Sequence, residues 1–439
     1  MDAADATTPP RGGVGVVRAS ALYVASVFGS GVLVLPSLTV RAAGPAAILS
    51  VTAMLALSIP LAATFAALAA RYPDAGGVAS FLRRAFGSLP ARAAGYLFFF
   101  GVGLGPMLVG WFGAGYLCAL LPGLQPLRPL VAVVLLVAPL VLNWFGVRVS
   151  SAAQLVLTAA LLAIVAWVVI AALPQMRPAR WTPFLPHSWS GVAIGISLNV
   201  WAFAGWEAVT HLAGEFRRPR TTVPAATAIA LLVTGGAYLA LQAVTIGVLG
   251  SSAGRSDIAL LEIVSGAWGR LAGPLTSAVA VLVVVGVLST YLAAFANLGA
   301  ALALEGDLPR WLAVRSTRNA IPRRSLAAVG VLSCAYFLVL AGADFDVQPF
   351  VLGQTASNVL VYGGGMAAAV RLLPRRSPAW WTAVLASILV AALVLIAGAA
   401  LAVPVILCAL AGLVQLGRRR RRDRRVRAVP GATTEGTPR

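Results

Sequence analysis

The stretch Phe28-Gly29-Ser30-Gly31-Val32, with Pro36 four residues further on, decides how this chain is read. It lies inside an apolar run near residues 15 to 40. Such a run is long enough to cross a hydrocarbon core of roughly 30 Å, which takes about 20 helical residues. Two glycines and a proline disfavour a continuous helix, so the backbone is expected to unwind near Ser30. In lipid an unpaired backbone group costs several kcal/mol. Irregular backbone at that depth therefore persists only where it lines a cavity or is buried in protein. The freed amides of Ser30, Gly31 and Val32, at the start of the following half-helix, suit an anion such as a carboxylate. Gly and Ser in membrane helices also mark close helix contacts, and this motif alone leaves both readings open.

A second interruption stands at Trp201-Ala202-Phe203-Ala204-Gly205-Trp206-Glu207. Glu207 is the one acid placed deep inside a span, where burial costs about 2.5 to 3.5 kcal/mol on insertion scales. It should face a cavity or a partner. His211 follows four residues on, on the same helical face, and Glu215 four further still, a stripe that suits a proton path. Equally, Glu207 fits as a neutral acid bracing the unwound segment with His211 at the interface. The two roles are compatible.

Working outward, the 439 residues are 60% hydrophobic and 10% charged, with mean hydropathy +0.90. Soluble domains carry about 25% charged residues, so this chain belongs in lipid. About twelve spans are expected, near 15 to 40, 44 to 70, 91 to 120, 129 to 146, 150 to 173, 188 to 212, 222 to 250, 271 to 304, 324 to 342, 347 to 371, 379 to 398 and 400 to 417. The two breaks fall in spans 1 and 6, five helices apart. That spacing is the one found in inverted-repeat carriers whose discontinuous helices meet near the bilayer midplane. The fold expected is thus an all-α integral membrane protein with a 5+5 inverted repeat, discontinuous helices 1 and 6, and two additional helices. The transporter domain spans 14–417, with repeat one about 15–173, repeat two about 188–371 and the extra helices about 379–417. A disordered tail, 1–13, precedes it, and a basic tail, 418–439, follows.

The net charge of +20 raises nucleic acid as a partner, but the arginines are distributed by topology. With both termini cytoplasmic, only Arg41, Arg128, Arg177, Arg180, Arg255 and Arg270 lie outside, against the remaining 27 of 33 basic residues inside. The positive-inside rule accounts for this bias, and no nucleic acid is needed. The tail run Arg418 to Arg422, with Arg424, Arg425 and Arg427, reads as a stop-transfer anchor and could also meet anionic lipids. Residues 1 to 13 lack the pattern of a removable signal peptide. Cys118, Cys334 and Cys408 sit far apart in apolar runs and suggest neither disulfide nor metal site.

There is no lysine, which excludes a Walker A loop and hence ATP as the energy source. Gly101, Gly103 and Gly105, followed by Pro106, read as close helix packing rather than a dinucleotide loop. Two histidines, His187 and His211, cannot build a His-rich metal site. A Ser30/His211 intramembrane hydrolase is conceivable, but no motif fixes such a dyad.

The residues resemble the amino acid/polyamine/organocation superfamily. Gly29-Ser30-Gly31 followed by Val34-Leu35-Pro36 is similar to that family's broken span 1. Arg71-Tyr72-Pro73-Asp74-Ala75-Gly76-Gly77 through Phe81 and Ala85-Phe86-Gly87 is similar to its first cytoplasmic loop. Val78, Phe81, Leu82, Ala85 and Phe86 give that loop an apolar face opposite Arg83 and Arg84, as for a helix lying on the membrane. Phe203-Ala204-Gly205-Trp206-Glu207, with Glu215, Pro219 and Pro224, is similar to span 6 and its exit. Gly306-Asp307-Leu308-Pro309 followed by Ile321-Pro322 is similar to the loop between spans 8 and 9. Ala208 through His211-Leu212-Ala213 with Glu215-Phe216 most resembles the branch that exports L-methionine and branched-chain amino acids.

The resemblance implies a non-enzymatic secondary transporter of the cytoplasmic membrane that moves neutral, apolar amino acids by alternating access. It implies that amides around Gly29, Ser30, Gly31 and Val32 hold the substrate carboxylate. Carbonyls freed near Phe203, Ala204 and Gly205 would hold the ammonium group. Trp201, Phe203 and Trp206 are candidates for gating or side-chain contact, or else simple aromatic packing around the break. Some relatives use a lysine in span 5 in place of sodium, which this chain cannot do. Its span 5 offers Ser150, Ser151, Gln154 and Thr158 and no acid. Proton antiport through Glu207 and His211, or exchange, is the coupling expected, with sodium still open, no bound cofactor, and a monomer or homodimer. Gln354, Ser357, Asn358 and Tyr362 in span 10 and Ser289 and Tyr291 in span 8 have interhelical hydrogen bonding as their default role.

Overall fold

The computed structural model describes residues 15–72, 77–146, 150–206, 219–265, 269–316 and 321–427. Among them every regular element is helical. Span 1 comprises Val16–Val27, a one-turn 3-10 helix Ser30–Leu33, and Leu35–Ala43. Span 2 is Ala47–Arg71 and span 3 runs through Ser88–Tyr96, a π-helical turn Leu97–Gly101, a 3-10 turn Val102–Leu104 and Gly105–Leu120. Arg128–Trp144 and Ser151–Ala172 are spans 4 and 5. Span 6 is helical over Ser188–Asn199 and irregular over the next seven residues. Pro219–Leu249, Gly269–Leu304, Arg323–Gly342 and Gln348–Leu372 are spans 7 to 10, and Pro378–Ala397 and Ala402–Arg427 are the two extra helices.

Helices recur at the expected positions with ends moved by a few residues; eight helical segments among the described residues are long and apolar enough to cross a membrane, and residues 207 to 212 of the expected span 6 lie outside the described residues. One difference lies at the C terminus, where the last helix continues to Arg427 instead of giving way to a tail after residue 417. Arginine is a good helix former, and no glycine or proline interrupts the run Arg418 to Arg427. A second lies in the first loop, where Gly77–Phe86 forms the expected amphipathic helix. Its apolar face is buried against span 10 rather than laid on lipid: Leu82 and Val78 approach Gly364 and Gly365. Phe86, expected on that face, is exposed and carries the Arg371 guanidinium 5.4 Å from its ring.

Many hydroxyls within the spans are satisfied by their own helices. Ser58, Thr64, Thr227, Thr234 and Thr245 each donate to the carbonyl four residues back, which removes a polar group from the apolar phase without a second helix. Other polar groups join one span to another, as where spans 1, 2 and 6 meet. Asn199 Nδ2 donates to Thr39 Oγ1 at 3.2 Å and Ser50 Oγ to the Val192 carbonyl at 2.9 Å. The largest fully buried side chains, Trp206, Tyr23, Tyr116, Tyr238, Tyr362, Phe28 and Phe203 among them, surround the same region. The two extra helices present rows of exposed apolar side chains, Ile388, Leu395 and Leu413 for example, as a lipid-facing surface requires.

Candidate functional site

Both breaks form where the sequence places them. Span 1 leaves helical geometry at Phe28 (ψ 83°) and Gly29 (φ −113°, ψ −158°), and resumes at Leu35 with proline in its first turn. The amides of Phe28, Gly29, Val32 and Val34 find carbonyl partners across the break. Among the described residues the amides of Ser30 and Gly31 do not, and Ser30 Oγ is buried with no partner either. In span 6, Phe203 N donates to the Asn199 carbonyl and Ala204 N to that of Trp201, while the carbonyls of Ala202 and Phe203 accept no hydrogen bond among the described residues. Donors are thus left on one break and acceptors on the other.

The two breaks touch. A methyl group on Gly31 would lie 3.7 Å from the Ala202 Cα, and one on Gly205 only 2.7 Å from the Ser26 carbonyl oxygen. Gly205 has φ +113°, a region side chains rarely adopt, so glycine is needed there twice over. Tyr23 donates to the Trp206 carbonyl at 2.9 Å, and Gly205 N donates to the Tyr362 hydroxyl at 3.2 Å. Span 10 thereby braces span 6, and span 1 ties to it.

Aromatic side chains wall the crossing. Trp201 packs on Phe112 at 5.9 Å, Phe203 on Tyr238 at 5.4 Å, Phe28 on Tyr238 at 5.8 Å and Trp206 on Tyr23 at 5.5 Å. Gly29, Ala204 and Gly205 are half-buried, while Ser30, Gly31, Val32, Trp201, Phe203 and Trp206 are buried. A small crevice beside Phe28 is lined by Gln154, Leu157, Thr158 and Leu161 of span 5 and by Val283 and Val287 of span 8. Glu207 and His211 lie outside the described residues, as do Ala208 to Phe216.

Ion pairs close the two ends of the bundle. At one end Asp257 takes Arg128 at 2.9 Å and Arg41 at 3.5 Å, while Arg41 Nε also donates to the Gly254 carbonyl. The Arg128 guanidinium lies 4.1 Å from the Trp111 ring, which stacks on Phe345 at 4.3 Å. At the other end Arg92 pairs with the fully buried Asp307, and Arg83 with Glu305.

The family model for amino acid permeases matches residues 14–427. This chain belongs to the amino acid permease family. The permease is similar to an uncharacterized amino acid permease of Bacillus subtilis, YecA, at 29% identity over 396 residues, covering 90% of this chain and 93% of that one. It is 30% identical over 372 residues to the L-methionine/branched-chain amino acid exporter YjeH of Escherichia coli, covering 83% and 87%. A branched-chain amino acid permease of Bacillus subtilis, BcaP, is 25% identical over 256 residues, covering 54% and 55%. The permease is therefore a multi-pass membrane transporter of the amino acid/polyamine/organocation superfamily, with amino acids as its substrate class, and the Ser30/His211 hydrolase reading falls away.

Sequence reasoning missed Tyr23 and Tyr238 at this crossing. The available signal was a phenol at membrane depth in an apolar helix, which must find a partner or a ligand.

Proposed function

We propose that this permease exports neutral, apolar L-amino acids, methionine and the branched-chain amino acids, across the cytoplasmic membrane by alternating access. The observation that carries the reading is the pairing of the two breaks: amides at Ser30 and Gly31 that are unpaired among the described residues lie against a segment whose Ala202 and Phe203 carbonyls are likewise unpaired among them. A zwitterion needs both, a donor set for its carboxylate and an acceptor set for its ammonium group. Gly29, Ser30, Gly31 and Val32 would form the first, and Phe203, Ala204 and Gly205 the second. Trp201, Phe203 and Trp206 would flank an apolar side chain. The name of the Escherichia coli exporter supports both the substrates and the direction.

Glu207 and His211 are the groups proposed to carry a proton in antiport, with amino acid exchange the second coupling open to the same site. Termini inside would put the Asp257 end of the bundle outside. The test is efflux of radiolabelled methionine and leucine from preloaded proteoliposomes, with and without a pH gradient, for the wild type and Glu207→Gln. Gradient-driven efflux lost in the variant is expected. Efflux indifferent to the gradient in both proteins would leave exchange, and uptake driven by an inward proton gradient would make the permease an importer. No movement of any amino acid would overturn the substrate class.

A further inference from the structure

Five of the tyrosines solve the problem of a phenol in an apolar interior in one way. Tyr23, Tyr72, Tyr96, Tyr116 and Tyr336 each donate to a backbone carbonyl, of Trp206, Leu372, Asp307, Leu33 and Phe100 respectively. Tyr362 serves as acceptor for the Gly205 amide. Tyr238, in span 7, differs. It is 2% exposed, and its hydroxyl is buried with no hydrogen-bond partner among the described residues. An unsatisfied hydroxyl at membrane depth is unfavourable, and its persistence points to a ligand that pairs with it.

The location of that hydroxyl identifies the ligand. It lies 3.2 Å from the position a methyl group would take on Gly31, the same position that is 3.7 Å from the Ala202 Cα. It therefore looks onto the contact between the two breaks, beside the unpaired amides of Ser30 and Gly31 and the unpartnered Ser30 Oγ. The ring cannot swing away, because Phe28 of one break and Phe203 of the other pack against it. A rigid donor beside two further donors forms a cradle for an anion.

We propose that the Tyr238 hydroxyl is a third donor to the substrate carboxylate, and that it makes the permease select a free carboxylate over a neutral carboxamide. The proposal rests on the reading that Ser30 and Gly31 hold that carboxylate. A phenol gives a charge-assisted hydrogen bond to a carboxylate, whereas with a carboxamide it pairs only with a neutral group, and the carboxamide NH2 would meet the backbone amides of Ser30 and Gly31 donor against donor. Sites built to hydrogen-bond one group discriminate strongly against an analogue that leaves them unpaired.

The test is binding of L-leucine and L-leucinamide to purified wild type and Tyr238→Phe, with the melting temperature measured in parallel. Phenylalanine keeps the ring packing and deletes only a hydroxyl that nothing in the fold uses, so the unliganded variant should melt no lower than the wild type. Leucine affinity should fall about tenfold or more, as for loss of a hydrogen bond to a charged group, with leucinamide affinity little changed. Equal leucine affinity in the two proteins, or equal weakening of leucine and leucinamide, would overturn the role of Tyr238 and leave the site reading intact. A wild type that binds neither ligand would overturn both.

Discussion

Tyr23 and Trp206 are separated by 183 residues and joined by one hydrogen bond of 2.9 Å, from the phenol of the first to the backbone carbonyl of the second. Their rings also meet edge to face at 5.5 Å. This contact fastens the first half of span 1 to the far side of the break in span 6, so the two interruptions are held as one unit. Any movement of Val16–Val27 relative to the rest of span 1 must carry the Trp206 backbone with it or break this bond.

Tyr23→Phe should accordingly cost about 1 to 2 kcal/mol of stability, because it leaves a buried carbonyl without its donor while preserving the ring contact. Melting of the detergent-solubilised protein reads this. Unchanged melting would mean that the carbonyl finds another donor.

Gly205→Ala places a side chain at φ +113° and a Cβ 2.7 Å from the Ser26 carbonyl. Backbone strain of this kind costs of order 1 to 3 kcal/mol, and the clash adds to it. Transport per unit of reconstituted protein should drop by at least tenfold. Gly29→Ala is the contrasting case: φ there is −113° and nothing lies within 4 Å, so the variant should fold and melt as the wild type does.

The two salt bridges at the Asp307 end should differ sharply in weight. Arg92 is 11% and Asp307 0% exposed in their side chains, against 51% and 46% for Arg83 and Glu305. Asp307→Ala leaves a buried arginine uncompensated and should lower stability by about 3 kcal/mol or more. Glu305→Ala breaks a solvated pair and should cost less than about 1 kcal/mol. Thermal or denaturant unfolding of both variants checks the ranking.

Asp257 is shared by Arg41 and Arg128, which come from the end of span 1 and the start of span 4. Asp257→Ala removes both pairs together and should loosen the closure of that end. With the native cysteines Cys118, Cys334 and Cys408 replaced, a cysteine substituted for the buried Ala253 should then react severalfold faster with a membrane-impermeant maleimide. Identical labelling rates would show that the Trp111 and Phe345 stack closes that end without the acid.

Much of this architecture is legible in the chain itself. Apolar runs about 20 residues long have one stable form in lipid, because every backbone polar group must be paired within the segment. Glycines and a proline near Ser30, and Gly205 in span 6, mark where two spans fail, although Gly363 to Gly365 and Pro60 are carried inside unbroken helices, so the local signal alone is permissive. The arginine distribution marks the loops for the same local reason.

What the sequence could not supply is anything that depends on which helix stands beside which. Tyr238 reads as one more aromatic residue in an apolar run until span 7 is packed against both breaks. Its hydroxyl then becomes the one phenol left unpaired beside Gly31. Leu82 and Val78 read as membrane-facing until span 10 presents Gly364 and Gly365 to them. Arg41 at the end of span 1, Arg128 at the start of span 4 and Asp257 in the connection after span 7 become a single ion cluster only in the assembled bundle. Helix formation is decided within a few residues along the chain. Pairing of donors, acceptors and charges is decided by neighbours more than a hundred residues away, and only the packed tertiary structure brings those together.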